Sequence, residues 1–219
     1  HQFFKFYGES HMYDSFIFDL DGTLWNATAN VTKAWNVAVS KSRPNTPPLT
    51  EKDVTKIMGL TEKEIPKVLF PDLDEEEGLR IMRQCNLVEQ DFLTEYGAVL
   101  YNDLEETIEA LSRQVPLFIV SNCGHGYIEA FLDHYHLWNY FQDFEYFSRT
   151  QRPKGDNIRL VMERNQLKKP VYIGDTMGDY HAAKAAGIPF IHAAYGYGTI
   201  DDHTVPVIQG LSELLLWLK

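Results

Sequence analysis

The chain has 219 residues, 44% of them hydrophobic and 13% aromatic, a formal charge of −11, and two cysteines, Cys85 and Cys123. That much apolar material supports one sizeable core, and the acidic balance argues against nucleic acid or an anionic membrane as the main partner. Two cysteines in unlike contexts imply neither a disulfide framework nor a zinc cluster, so a reducing cytoplasm is expected; no apolar run approaches the ~20 residues that cross a bilayer.

Residues 1–11 read as an expression-tag remnant ahead of Met12 and lack the basic and apolar regions of a signal peptide. Phe16-Ile17-Phe18 has the length and composition of a strand buried on both faces. It runs into Asp19 and Asp21, spaced i, i+2, and then Gly22. A preserved pleat would aim both carboxylates at one small volume beyond the strand's carboxyl end, where open α/β sheets bind ligands. Close carboxylates repel unless a cation sits between them or one holds a proton.

From Trp25 to about Tyr96 the pattern is helical, and no strand is expected there. Val31, Ala34, Trp35, Ala38 and Val39 form an apolar stripe within Asn30–Ser40, followed by a Pro-rich break over 43–48. Thr50 to Asp53 reads as a helix start and Thr61 to Glu64 as a capping box. Phe70-Pro71 closes that helix, and Asp74 to Glu95 reads as one long helix. The expected division is therefore an all-helical cap over 26–96, inserted into a core made of 12–25 and 97–219.

Beyond Gly97, helix and strand alternate. Helices are expected over 103–114, 126–134, 156–165, 179–186 and 211–218, and strands over 115–120, 143–147, 170–173 and 188–192. Gly187 supplies a helix C-cap. The alternation predicts an α/β fold, a doubly wound, parallel, Rossmann-like sheet.

Three of those strands end in polar residues: Asp19 and Asp21, then Ser121 and Asn122, then Asp175. Asp179 follows one helical turn later, and Lys154 precedes a helix. Each has an ordinary structural reading: a turn at Asp21-Gly22, helix caps at Ser121-Asn122 and Asp175–Asp179, a solvated surface lysine. Together they supply the residue types that phosphoryl transfer needs.

Asp19-Leu20-Asp21-Gly22-Thr23, Ser121-Asn122, Lys154 and Gly174-Asp175-Thr176-Met177-Gly178-Asp179 resemble the four motifs of the haloacid dehalogenase superfamily, in its phosphoglycolate-phosphatase-like branch. The resemblance implies a phosphatase acting on a small phosphorylated metabolite, as a monomer or small homo-oligomer. Asp19 would be the nucleophile and Asp21 the general acid and base. Mg²⁺ would be held by Asp19, the Asp21 carbonyl and Asp175, with Asp179 joining directly or through water. Ser121, the Asn122 amide and Thr23 would serve the phosphate, and Lys154 would offset the charge. Relatives of other activity differ at identifiable positions. Phosphonate hydrolases carry a cap lysine where this chain has Glu62, with Lys63 one step out, and sugar-phosphate mutases carry a cap histidine where it has Val31. A non-catalytic binding protein would be expected to lack Asp19, Asp21, Lys154 or Asp175. Asn26 stands where many capped relatives have aspartate.

Overall fold

The computed structural model describes residues 12–218, so the expected tag remnant lies outside the described residues. Strand β1 (Ser15–Phe18) opens the chain and β2 (Trp25–Asn26) follows a tight turn. Four helices come next: α1 (Thr28–Ser42), α2 (Glu51–Ile57), α3 (Ile65–Leu69) and α4 (Glu75–Tyr96). The chain continues through β3 (Val99–Leu100), α5 (Leu104–Ser112), β4 (Leu117–Ser121), α6 (Tyr127–His134), β5 (Phe141–Tyr146) and α7 (Phe147–Thr150). It ends with α8 (Lys154–Arg164), β6 (Pro170–Gly174), α9 (Met177–Ala186), β7 (Phe190–Ala193), β8 (Val207–Ile208) and a 3₁₀ helix, Leu211–Leu218.

The main sheet is parallel throughout, in the order β5-β4-β1-β6-β7-β8. Successive strands build outward from β1 to one side, then from β6 to the other, so the winding reverses beside β1. Loops leaving the carboxyl ends there part to opposite faces and open a crevice. The uninterrupted Phe16-Ile17-Phe18 run follows from burial on both faces. Phe16 and Phe18 join Leu117, Ile119 and Ile173 on one side. Ile17 packs with Phe118, Val120, Ile158 and Ala183 on the other. Each such side chain contributes ~1.5–3 kcal/mol of burial.

In the helical insertion, Val31, Ala34, Trp35, Ala38 and Val39 are all buried. Helix α2 starts at a complete Thr50/Asp53 capping box and α4 at a complete Asp74/Glu77 one. Ahead of α1, Asn26 Oδ1 accepts from the Thr28 N–H at 3.1 Å and from the Tyr197 hydroxyl at 2.7 Å.

The expectation of no strand after Trp25 is corrected. β2 pairs antiparallel with β3, Trp25 opposite Leu100, and this short ribbon brackets the insertion at both ends. Two-residue strands carry no periodicity, which is why the pattern was silent about β2, β3 and β8 alike. Among the described residues no helix is long and apolar enough to cross a membrane.

Candidate active site

The Asp19 N–H donates to the Ile173 carbonyl at 2.9 Å, tying the end of β1 to β6. The Leu20 carbonyl then accepts from the N–H groups of Thr23, Leu24 and Trp25, a tight turn that lifts the chain off the sheet. Gly22 is required there: its φ is +77°, and a Cβ would lie 2.2 Å from Asp175 Oδ2. Because β6 neighbours β1, Asp175 emerges beside Asp19. Carboxylate oxygens of Asp19, Asp175 and Asp179 all lie within 4.8 Å of one another, and all three residues are buried.

Lys154, only 6% exposed, enters this cluster from the first turn of α8. Its Nζ donates to Asp179 Oδ1 at 2.6 Å and to Asp19 Oδ1 at 3.2 Å. Burial alone would lower the lysine's pKa, but the Asp179 and Asp19 carboxylates outweigh it and hold the ammonium charged. Burial would raise Asp179, yet Lys154 and the Asp175 and Thr176 amides keep it below its ordinary value. Asp19 goes the other way, pushed well up by burial and then by Asp179. Burial and Asp179 push Asp175 up to about 7.

Asp179, expected among the cation ligands, already has both oxygens engaged. Oδ1 accepts from Lys154 and the Tyr172 hydroxyl; Oδ2 accepts from the Asp175 and Thr176 amides and the Thr176 hydroxyl. An Asp179 oxygen still lies within 4.8 Å of carboxylate oxygens of Asp19 and Asp175, in the group that could hold a cation. Thr23, expected near the phosphate, is fully buried behind the cluster, its hydroxyl 3.4 Å from Asp175 Oδ1, and it does not line the cleft.

Asp21 has partners of its own. Its Oδ1 accepts from the Tyr127 hydroxyl at 2.5 Å and the Trp25 indole at 3.0 Å. Burial pushes its carboxyl up to about 6, a rise those two donors restrain. Neither donor was expected from the sequence. Trp25 packs edge-on against Tyr127 and Phe131 of α6, a long-range docking that no local pattern encodes.

The cleft above Asp19 is a cavity of about 50 Å³ between the sheet and the insertion, lined also by Asp21, Ser121, Asn122 and Cys123. Asn122 Nδ2 donates across it to the Gly59 carbonyl at 3.0 Å, and its Oδ1 is buried without a partner among the described residues. Burial pushes the Cys123 thiol well up, so it stays protonated. Glu89 of α4 also faces the cleft, 4% exposed, with its Oε1 accepting from the Trp35 indole at 3.0 Å. Burial, with the Asp21 charge behind it, pushes Glu89 up to about 8. Glu89 is the site residue the sequence hid best: an acid within a long helix reads as surface. Its one signal is that it falls among the buried positions Ile81, Met82, Cys85 and Leu93.

An all-oxygen donor set of buried carboxylates is unstable without positive charge, and one lysine does not offset three. Hard oxygen ligands beside a phosphate-sized cleft fit a small divalent cation such as Mg²⁺. Known proteins agree in outline. The chain is 29% identical over 153 residues to a phosphoglycolate phosphatase from Escherichia coli, covering 66% of this chain but 61% of that relative's length. A phosphoglycolate phosphatase from Vibrio parahaemolyticus is 27% identical over 215 residues, 90% of this chain and 92% of the relative. The fold matches a haloacid dehalogenase-like family hydrolase from Streptococcus pneumoniae with a TM-score of 0.80 at 20% identity, over 95% of this chain and 99% of that one. A family model described as haloacid dehalogenase-like hydrolase matches residues 16–193, and with these strand-end carboxylates in place the chain belongs to that family.

Proposed function

We propose that the chain is a Mg²⁺-dependent phosphatase that hydrolyses a small phosphate monoester through an aspartyl-phosphate, with residues 26–96 acting as a cap over the site. One observation carries the reading most: Lys154, 135 residues from Asp19 in sequence, bonds Asp19 and Asp179 at the mouth of the sheet, with Asp175 beside them. The phosphoglycolate phosphatase relatives support the reaction class.

Asp19 and Asp175 carboxylates and the Asp21 carbonyl would hold the cation, with Asp179 joining directly or through water, and the ion when bound supplies charge neutralisation and orientation of the phosphate. Asp19 attacks phosphorus, the P–O bond to the alcohol breaks, and the Asp21 carboxyl gives its proton to the departing oxygen. Asp21, now a carboxylate, takes a proton from the water that attacks the aspartyl-phosphate, which releases phosphate and restores Asp19. A carboxyl near pH 6 suits both halves of that cycle. Ser121 and the Asn122 amide would receive phosphate oxygens. Lys154 keeps Asp19 and the incoming phosphate from repelling each other, and Asp179 holds the lysine in place. Lys63 Nζ lies 5.9 Å over the Phe147 ring rather than in the cleft, which tells against a Schiff-base phosphonate hydrolase. Val31 offers no proton-transfer group for a mutase.

Turnover of p-nitrophenyl phosphate with added Mg²⁺, lost on chelation and restored by the metal, is the expected result. No turnover with Mg²⁺ present would overturn the reading. Tyr127→Phe supplies a finer test. Removing a donor to the carboxylate raises the Asp21 pKa, so the acid limb of the kcat profile, where Asp21 must be ionised to serve as base, shifts to higher pH by ~1 unit. An unmoved limb would strip Tyr127 of any part in positioning Asp21.

A further inference from the structure

The cavity that would take the leaving alcohol has an uneven chemistry. Trp35, Leu60 and Met82 give it apolar walls, and Glu62, Asn86 and Glu89 give it polar ones. No lysine, arginine or histidine occurs among the described residues lining it. Lys154, the nearby cation, is committed to Asp19 and Asp179 on the phosphate side. Glu62 Oε1 accepts from Gln151 Nε2 at 2.9 Å, so that carboxylate is held at the rim.

An anionic group on the alcohol would therefore leave water next to Asp21, Glu62 and Glu89 with no cation to receive it. Such a group is disfavoured by desolvation, and no positive side chain among the described lining residues offsets that cost. A hydroxyl or an amine meets the reverse: amide and carboxyl oxygens for its protons, and apolar walls for its carbon. Relatives named for phosphoglycolate act on an ester whose alcohol bears a carboxylate, so this cavity departs from what their name implies.

Resting on the phosphatase reading above, we propose that the substrate is a monoester of a small alcohol carrying no negative charge, with the acidic and amide lining of the cleft as the discriminating element. Small follows from the insertion packed over the cleft, whose Trp35, Leu60 and Met82 stand close above the Asp19 end.

Phosphoglycolate, 2-hydroxyethyl phosphate and phosphoethanolamine share a two-carbon alcohol that differs in charge. Steady-state kinetics on the three, with p-nitrophenyl phosphate as control, should give kcat/KM at least ~10-fold higher for the uncharged and cationic esters than for phosphoglycolate. Phosphoglycolate equal to or ahead of the others, with the control hydrolysed, would overturn the inference and leave the phosphatase reading standing. Failure of the control as well would remove the phosphatase reading and the inference with it. Leu60→Lys, at the half-buried rim, should raise kcat/KM on phosphoglycolate relative to 2-hydroxyethyl phosphate by ~10-fold. If that variant hydrolyses the control with the ratio unmoved, the lining's charge is not what discriminates.

Discussion

Asp19→Asn should lower phosphatase turnover by ~10⁴-fold or more without weakening the fold. The amide is a poor nucleophile for phosphorus, and neither Asp175 nor Asp179 lines the cleft as Asp19 does. Stability should hold because of what surrounds the position. Asp19 is 3% exposed and its charged form is disfavoured first by burial and then by Asp179. Removing one of three clustered carboxylates relieves that strain, while Lys154 keeps the shorter of its two bonds, the one to Asp179. Urea midpoints for the variant should therefore match or exceed those of the parent, and phosphate release from p-nitrophenyl phosphate should fall to background. Activity retained at a hundredth of the parent rate would remove Asp19 as nucleophile.

The fold's legibility came from one regularity. Each strand flanking the crevice is an apolar run that stops abruptly at a polar residue: Phe18 before Asp19, Val120 before Ser121, Ile173 and Gly174 before Asp175. Burial on both faces forces the run, and the carboxyl end of a parallel sheet forces the polar stop. Order of residues along the chain was enough to bring Asp19, Asp175 and Lys154 together. What each carboxylate is bonded to was not legible. The N-terminal geometry of α9 turns one Asp179 oxygen onto the Asp175 and Thr176 amides and the other onto Lys154, partners that no sequence pattern announces. Asp19 and Asp21 line one cleft, but the bond from the Tyr127 hydroxyl to Asp21 had no signal in the sequence. Glu89 and the cation-free lining of the cleft depend on how α4 docks over the loop after β4. The Asn86 amide fills the space a Cβ at Gly124 would need, 2.5 Å away. Contacts of this kind join residues tens of positions apart and have no local signature.

Lys154→Met should cost the protein stability as well as activity, and the stability loss should depend on pH in a definite direction. In the parent, Lys154 holds Asp179 below its ordinary pKa, so that group stabilises the fold above about pH 4 and the contribution fades as pH falls through the lower folded value. Without the lysine, burial and the neighbouring Asp19 and Asp175 raise Asp179 instead. The folded state then binds a proton that the unfolded chain releases, and stability declines as pH rises from about 4. The two curves diverge with pH. Leaving buried carboxylates uncompensated costs ~3–5 kcal/mol, which should appear in urea midpoints at pH 8 and shrink at pH 5. Adding Mg²⁺ at pH 8 should restore part of the difference, because a cation at Asp19 and Asp175 replaces some of the lost positive charge. Turnover should drop ~10³-fold even with the metal, since the lysine's charge is positioned before the phosphate arrives and reorganises least. Equal midpoints for parent and variant at pH 8 would mean that the cluster keeps its protons without help, and the lysine would then have no claim to organising the site.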